Sequence, residues 1–266
     1  MDVNKVLYIS QEIEPYLPAS DLSVFGRELP QVMQEKGAQV RTFMPKYGNI
    51  NERRNQLHEV IRLSGLNISI DNSDHPLLIK VATLQPSRLQ VYFIDNDDFF
   101  MRHESGLLET EHDATVNDER AMFFVRGTAE TAKKLRWEPS LIHCTGWITA
   151  MAPLYLKTLY ADDPVLSGAK VVYSLFDKSF EGQLDSRLAE KIAEDGIPAE
   201  AYKAIAEVAD YITLNKLAID HADAIAVSSA NIPQELIDYA KASGKPVLDY
   251  PGEGNLEAYN DFYLSL

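Results

Sequence analysis

Apolar and polar positions alternate along this chain in two rhythms. Lys5 to Ser10 is a short apolar run with the length of a buried strand. Pro15 and Pro18 interrupt the next stretch. Leu22, Phe25, Leu29, Val32 and Met33 then recur at helical spacing, and Gly37 stands where a helix would end. Gln39 to Met44 reads as a second strand stopped by Pro45. Strand, loop, helix and strand over this length make a βαβ unit, whose connection is right-handed and whose strands are parallel. Ligands of such sheets sit beyond the carboxyl ends of the strands, so the loop from Gln11 to Asp21 is the first place to look for a site.

Further along, Val60 to Leu63, Leu66 to Ile70 and Leu77 to Leu84 are short runs set apart by Ser64-Gly65 and by Asp71 to Pro76, a spacing that predicts antiparallel strands. Leu89 to Ile94 returns as a buried strand. Met101 to Val116 reads as a mobile polar loop, and Asn117 as the cap of a helix whose face carries Ala121, Phe124, Thr128, Ala132 and Leu135. Leu141 to Cys144, Lys170 to Leu175 and Ala224 to Val227 read as strands, with Lys245 to Leu248 as a last short one. Trp147 to Leu156, much of Gln183 to Asp220, and Pro233 to Ala240 read as helices, the last opened by Asn231 or by the proline. Pro251 to Gly254 holds a G-x-G without the third glycine of a dinucleotide fingerprint and reads as a turn. The tail from Leu256 to Leu266 carries Tyr259, Phe262 and Tyr263 on one helical face, which packs either on its own sheet or on another subunit. Repeated alternation of strand and helix gives an α/β fold: a Rossmann-like, largely parallel sheet flanked by helices. No repeat or linker divides residues 1 to 266, so one domain is expected.

Composition narrows the function classes. A formal net charge of −15 repels phosphate backbones, which excludes nucleic acid as an expected partner. No stretch reaches about 18 uninterrupted apolar residues, so no membrane association is expected. A single cysteine, Cys144, and an opening without a secretory pattern fit a cytoplasmic protein. Asp95, Asp97 and Asp98 suit a solvated strand end better than a metal site, and neither a metal nor another cofactor is expected. His143 falls at a strand end, where it is either a ligand contact or a hydrogen-bonded core residue. Cys144 reads as a small buried hydrophobe and Trp147 as a packing residue.

Several stretches, in order, resemble the N-terminal half of the glycogen and starch synthases, GT-B glycosyltransferases that use ADP-glucose. Val6 to Pro45 resembles the family's opening, with Glu12 to Pro15 as its E-x-x-P-like turn and Leu29-Pro30 inside the helix. Val91 to Asp95 resembles its V-Y-F-I-D strand. Pro139 to Leu156 resembles its H-x-H-D-W-H region, Val171 to Gly182 its strand into H-N-x-x-Y-Q-G, and Asn215 to Asp223 its L-K-A-G-x-x-x-A-D. The resemblance implies a domain that receives the glucan and faces a second, donor-binding domain, for which no sequence is present here. It also implies site positions that this chain fills differently. Pro18, Ala19, Ser20, Asp21 and Leu22 stand at K-T-G-G-L, whose lysine neutralises donor phosphate. Thr145 and Gly146 replace the central histidine and aspartate of the second motif, and Phe176 replaces the histidine of the third. Two functions are therefore expected to compete. One is a non-catalytic relative that binds a glucan, a metabolite or another protein, perhaps as a homo-oligomer. The other is an ADP-glucose-dependent α-1,4-glucan glucosyltransferase completed by a partner chain. Whether the chain is an enzyme is left open, and no catalytic residue is assigned. The candidate ligand-binding cleft lies beyond the strand ends, lined by Glu12, Ser20, Asp21, His143, Thr145 and Asp177.

Overall fold

A computed structural model of the chain describes residues 3–101 and 117–266. The loop expected between Met101 and Val116 lies, apart from Met101, outside the described residues. The strands are β1 (Lys5–Ser10), β2 (Gln39–Pro45), β3 (His58–Glu59), β4 (Leu66–Ile70), β5 (Ser73–Leu84), β6 (Leu89–Asp95), β7 (Leu141–Thr145), β8 (Lys170–Leu175), β9 (Ala224–Val227) and β10 (Val247–Leu248). They form one sheet in the order β10-β9-β8-β7-β1-β2-β6-β5-β3, with β4 paired to β5. From β10 to β6 every pairing is parallel. Around β5 every pairing is antiparallel. The expected α/β fold with a largely parallel sheet is what the chain adopts.

The helices are α1 (Asp21–Glu35), α2 (Asp97–Phe100), α3 (Asn117–Leu135), α4 (Ala152–Lys157), α5 (Leu188–Glu194), α6 (Tyr211–His221), α7 (Gln234–Ala242) and α8 (Glu257–Ser265). Because side chains alternate across a strand, Leu7 and Ile9 of β1 join one core while Val6 and Tyr8 join the other. The larger core is closed by α3, α4 and α6. The smaller one is closed by Leu29 and Met33 of α1 and by Tyr259, Phe262 and Tyr263 of α8. The aromatic face of the tail thus packs on its own sheet rather than on another subunit. β2 lies on one side of β1 and β7 on the other, so the chain order reverses at β1. Such a switch point opens a crevice at the strand ends, and it is the residues following β1, β7 and β8 that meet there.

Ser20 caps α1 by accepting from the Ser23 amide at 3.1 Å, and Ser23 returns the bond to the Ser20 amide at 2.8 Å. Pro30 sits inside α1 and has no amide to donate to the carbonyl of Gly26 one turn back. Gly26 also lets the helix lie against the loop after β1: a Cβ there would overlap the Glu12 carbonyl oxygen.

Several boundaries differ from those the sequence suggests. Val60 to Leu63 is a turn, closed by bonds from the Leu63 and Ser64 amides to the Val60 carbonyl, and Ile61 is 82% exposed. The strand at that edge is His58–Glu59 instead. β5 begins at Ser73, because only Asp71 and Asn72 are needed for the hairpin turn; both take positive φ, at 47° and 60°. Trp147 to Leu156 is not one helix. A 3-10 turn at Trp147–Thr149 precedes α4. Asn117 is itself helical rather than a cap, and its side-chain oxygen accepts from Arg120 at 3.1 Å. Pro233 occupies the cap position of α7, and Asn231 does not cap it but reaches Asp177 at 3.4 Å.

Replacing Gly26 with alanine forces α1 off the loop after β1. Urea denaturation is expected to show a loss of about 1–3 kcal/mol, the usual penalty for overpacking a close contact; an unchanged midpoint would mean that helix and loop are not held together there.

Candidate functional site

Glu12 follows β1 directly and is 1% exposed. Its carboxylate is held from two sides. Lys178, in the loop after β8, donates to Oε1 at 2.5 Å, and the Ser20 hydroxyl donates to Oε2 at 3.1 Å. A buried carboxylate stays charged only when so compensated. The pair therefore ties together the loop after β1, the start of α1 and the loop after β8.

His143, in β7, is fully buried. Its Nδ1 is paired with the Tyr263 hydroxyl of α8, and its Nε2 with the Ser174 hydroxyl of β8 at 2.5 Å. Ser228 donates to the Ser174 oxygen at 3.0 Å, and Tyr259 of α8 donates to Ser228 at 2.8 Å. A chain of hydrogen bonds thus leaves α8 at one tyrosine and returns to it at the other. Burial pushes the imidazole pKa down to about 3. The ring is neutral and shielded from solvent, so it meets no ligand in this arrangement.

Thr145 is also buried, and its carbonyl accepts from the Gln11 amide at 3.0 Å. Gly146 follows with φ 88°, and any Cβ there would strike the Gln11 side chain. Gln11 in turn accepts from the Ile148 amide at 3.2 Å. This packing seals the end of β7. Trp147 is buried against Phe180, with ring centroids 4.7 Å apart. Cys144 is fully buried, and burial pushes its thiol pKa up, which leaves it unreactive.

Of the six candidate cleft residues, the structure brings only Asp21 and Asp177 to a common cavity, of about 330 Å³, between α1, the loop after β9 and the turn before α8. Glu12, Thr145 and His143 lie beneath the surface, and Ser20 caps α1 beside Glu12. The cavity also takes in Phe25, Phe176, Tyr250 and Tyr259. Of these aromatics the sequence placed only Phe176 at a site position of the family, and none was among the candidate cleft residues; the helical spacing of the tail was the one available signal for Tyr259. Among the described residues no lysine, arginine or histidine lines the cavity.

The basic side chains near the strand ends are engaged elsewhere. Lys46 pairs with Glu52 at 3.0 Å. Lys80 bridges Glu52 at 2.6 Å and Asp95 at 2.7 Å. Lys191, nearly buried, meets Asp118, Glu119 and Asp185 at 2.7, 2.7 and 2.9 Å. Arg27 of α1 is shared by Glu14 and Glu28. Among the described residues no three His, Cys, Asp or Glu side chains converge as metal ligands, and no helix is long and apolar enough to cross a membrane.

Residues 5–248 match the family model described as the starch synthase catalytic domain. The glycogen synthase of Chlorobium limicola is 34% identical over 236 residues, covering 88% of this chain and 47% of that protein. That of Chlorobaculum tepidum is 33% identical over 237 residues, with the same two coverages of 88% and 47%. The chain spans about half the length of the curated relatives it matches. Among solved structures, the catalytic domain of Starch Synthase IV from Arabidopsis thaliana bound to ADP and acarbose superposes with a TM-score of 0.73 at 18% identity, covering 93% of this chain and 51% of that one. That likeness is one of fold.

The buried histidine makes stability depend on pH in a definite direction. Its folded pKa of about 3 lies below the unfolded value of about 6.5. Between the two, the unfolded chain binds a proton that the folded chain does not, so the His143 contribution is lost as pH falls below about 6.5. The stability gap between the natural protein and a His143→Gln variant is expected to narrow by about 2 kcal/mol between pH 7 and pH 5 in urea denaturation. A gap that stays constant would mean that the ring titrates normally and is not sealed in.

Proposed function

The chain belongs to the starch and glycogen synthase family, and from that premise we propose that it is a non-catalytic member: by itself it transfers no glucose from ADP-glucose, and it binds a glucan or another protein. The supporting observation is electrostatic. ADP-glucose carries a diphosphate, which needs positive charge or free N–H donors. The loop that would meet it resembles K-T-G-G-L in position but reads Pro18, Ala19, Ser20, Asp21 and Leu22. Pro18 brings neither charge nor N–H. The Ser20 hydroxyl and the Ser23 amide are already bonded at the start of α1, and Asp21 adds a negative charge. Lys178, the nearest lysine by hydrogen bonding, is held by Glu12.

The other two motifs point the same way. Thr145 stands where the family places the histidine that meets the transferred sugar, and it is buried beneath the end of β7. Phe176 stands at the histidine of the third motif, packed edge-on to Phe25 with centroids 5.1 Å apart. A threonine sealed from solvent and a phenyl ring supply no proton and no polar contact to a sugar hydroxyl.

A second reading, supported by the 34% identity to a relative named glycogen synthase, is an ADP-glucose-dependent α-1,4-glucan glucosyltransferase completed by a partner chain. Incubation of the purified chain with ADP-glucose and a maltooligosaccharide separates the two. No lengthening of the oligosaccharide is expected. Lengthening by this chain alone would overturn the non-catalytic assignment, and lengthening only after addition of native cell extract would favour completion by a partner.

A further inference from the structure

The cavity that holds Asp21 and Asp177 has a chemistry of its own. Phe25 packs against Phe176 and against Tyr259, with centroids 5.1 and 5.0 Å apart, so three aromatic rings form a continuous wall. Tyr250, 38% exposed, stands at the rim. The turn from Pro251 to Gly254 carries Glu253 to the same rim, and Gly252 and Gly254 allow it by taking positive φ, at 94° and 70°. Three carboxylates of the lining, those of Asp21, Asp177 and Glu253, form no ion pair among the described residues. The fourth, Glu28, is balanced by Arg27 at 2.8 Å.

We propose that this cavity is a binding site for a small organic cation, an aliphatic amine bearing one or more ammonium groups. Three features converge on that chemistry. At about 330 Å³ the half-open space lies within the size range of small-ligand pockets. The exposed Tyr250 ring at its rim can attract an ammonium group through its π-face, and the packed rings of Phe25, Phe176 and Tyr259 give apolar surface to cover a methylene chain. Its unpaired carboxylates supply countercharge, with no basic side chain to compete for them. An anion would meet three uncompensated negative charges here. A neutral sugar would leave those charges without a counterion when it expelled water from them. Asn231 and Asn255 line the cavity as well and can accept from ammonium N–H groups through their side-chain oxygens. This site does not depend on whether the chain transfers glucose.

Isothermal titration calorimetry of the full chain with spermidine, at near-physiological salt, tests the assignment. One-to-one saturable binding is expected. Asp177→Asn should weaken it about tenfold, the loss of one charge-assisted contact. Tyr250→Ala should weaken it about two- to fivefold, the loss of one exposed cation–π contact. Both residues are exposed, so neither change threatens the fold. Glu59→Gln, at the opposite edge of the sheet, removes the same charge far from the cavity and should leave binding unchanged. Absence of saturable spermidine binding would overturn the proposal. So would equal weakening by all three variants, which would mean diffuse attraction to an acidic protein. Saturation by magnesium chloride or maltotriose with no response to spermidine would overturn it too.

Discussion

The carboxylate of Glu12 has almost no contact with water and must find its compensation inside the protein. It does so with one ammonium group and one hydroxyl, and those two partners come from different segments. Lys178 arrives from the loop after β8, and Ser20 from the start of α1. The Ser20 oxygen at the same time accepts the Ser23 amide, so the cap of the helix and the neutralisation of the carboxylate share one atom. Gly26 then lets the helix settle against the Glu12 carbonyl. The geometry of the sheet's carboxyl edge around its switch point is set by this one buried charge.

Its consequence reaches the site. A nucleotide-sugar site needs mobile or exposed positive charge at the strand ends, and a lysine locked to a buried carboxylate is no longer available to an incoming phosphate. The same holds for Lys46, Lys80 and Lys191, each of which faces at least one carboxylate within 3.0 Å. What remains exposed around the cavity is acidic and aromatic. His143 shows the same inward turn in neutral form. Both of its ring nitrogens are satisfied by hydroxyls, and one of those hydroxyls belongs to α8, which covers the smaller core. A strand-end histidine has become part of the fastening for a terminal helix.

Much of the scaffold was legible from periodicity. The unit from Lys5 to Pro45 reads directly because a short apolar run gives way to a 3.6-residue rhythm and then to a second short run stopped by proline. The antiparallel edge was less legible. At Val60 to Leu63 an apolar run looks like a strand, yet Ile61 points to solvent, and a turn closed on the Val60 carbonyl replaces the ladder. The hairpin at Asp71 and Asn72 was concealed by Ser73, Asp74, His75 and Pro76, which look like turn residues but pair in register. The site was the least legible part. The loop after the first strand and the resemblance to the family's third motif placed Asp21 and Asp177 in a cleft beyond the strand ends, and both line the cavity. Spacing could not show that Glu12 would be buried, because Lys178 lies 166 residues further along the chain. Nor could it show that His143 would be closed over by a tyrosine 120 residues away. Side chains so far apart meet only through the tertiary packing.

The claim at the centre of this account is that, among the described residues, no free positive charge remains at the strand ends to hold an anionic donor. Calorimetric titration of the purified chain with ADP at low ionic strength, where attraction between phosphate and lysine is least screened, addresses it most directly. The account predicts no saturable heat. One-to-one binding that weakens steadily as salt is added would contradict it, because it would reveal a phosphate-binding cation that the Glu12–Lys178 pair and its neighbours leave no room for.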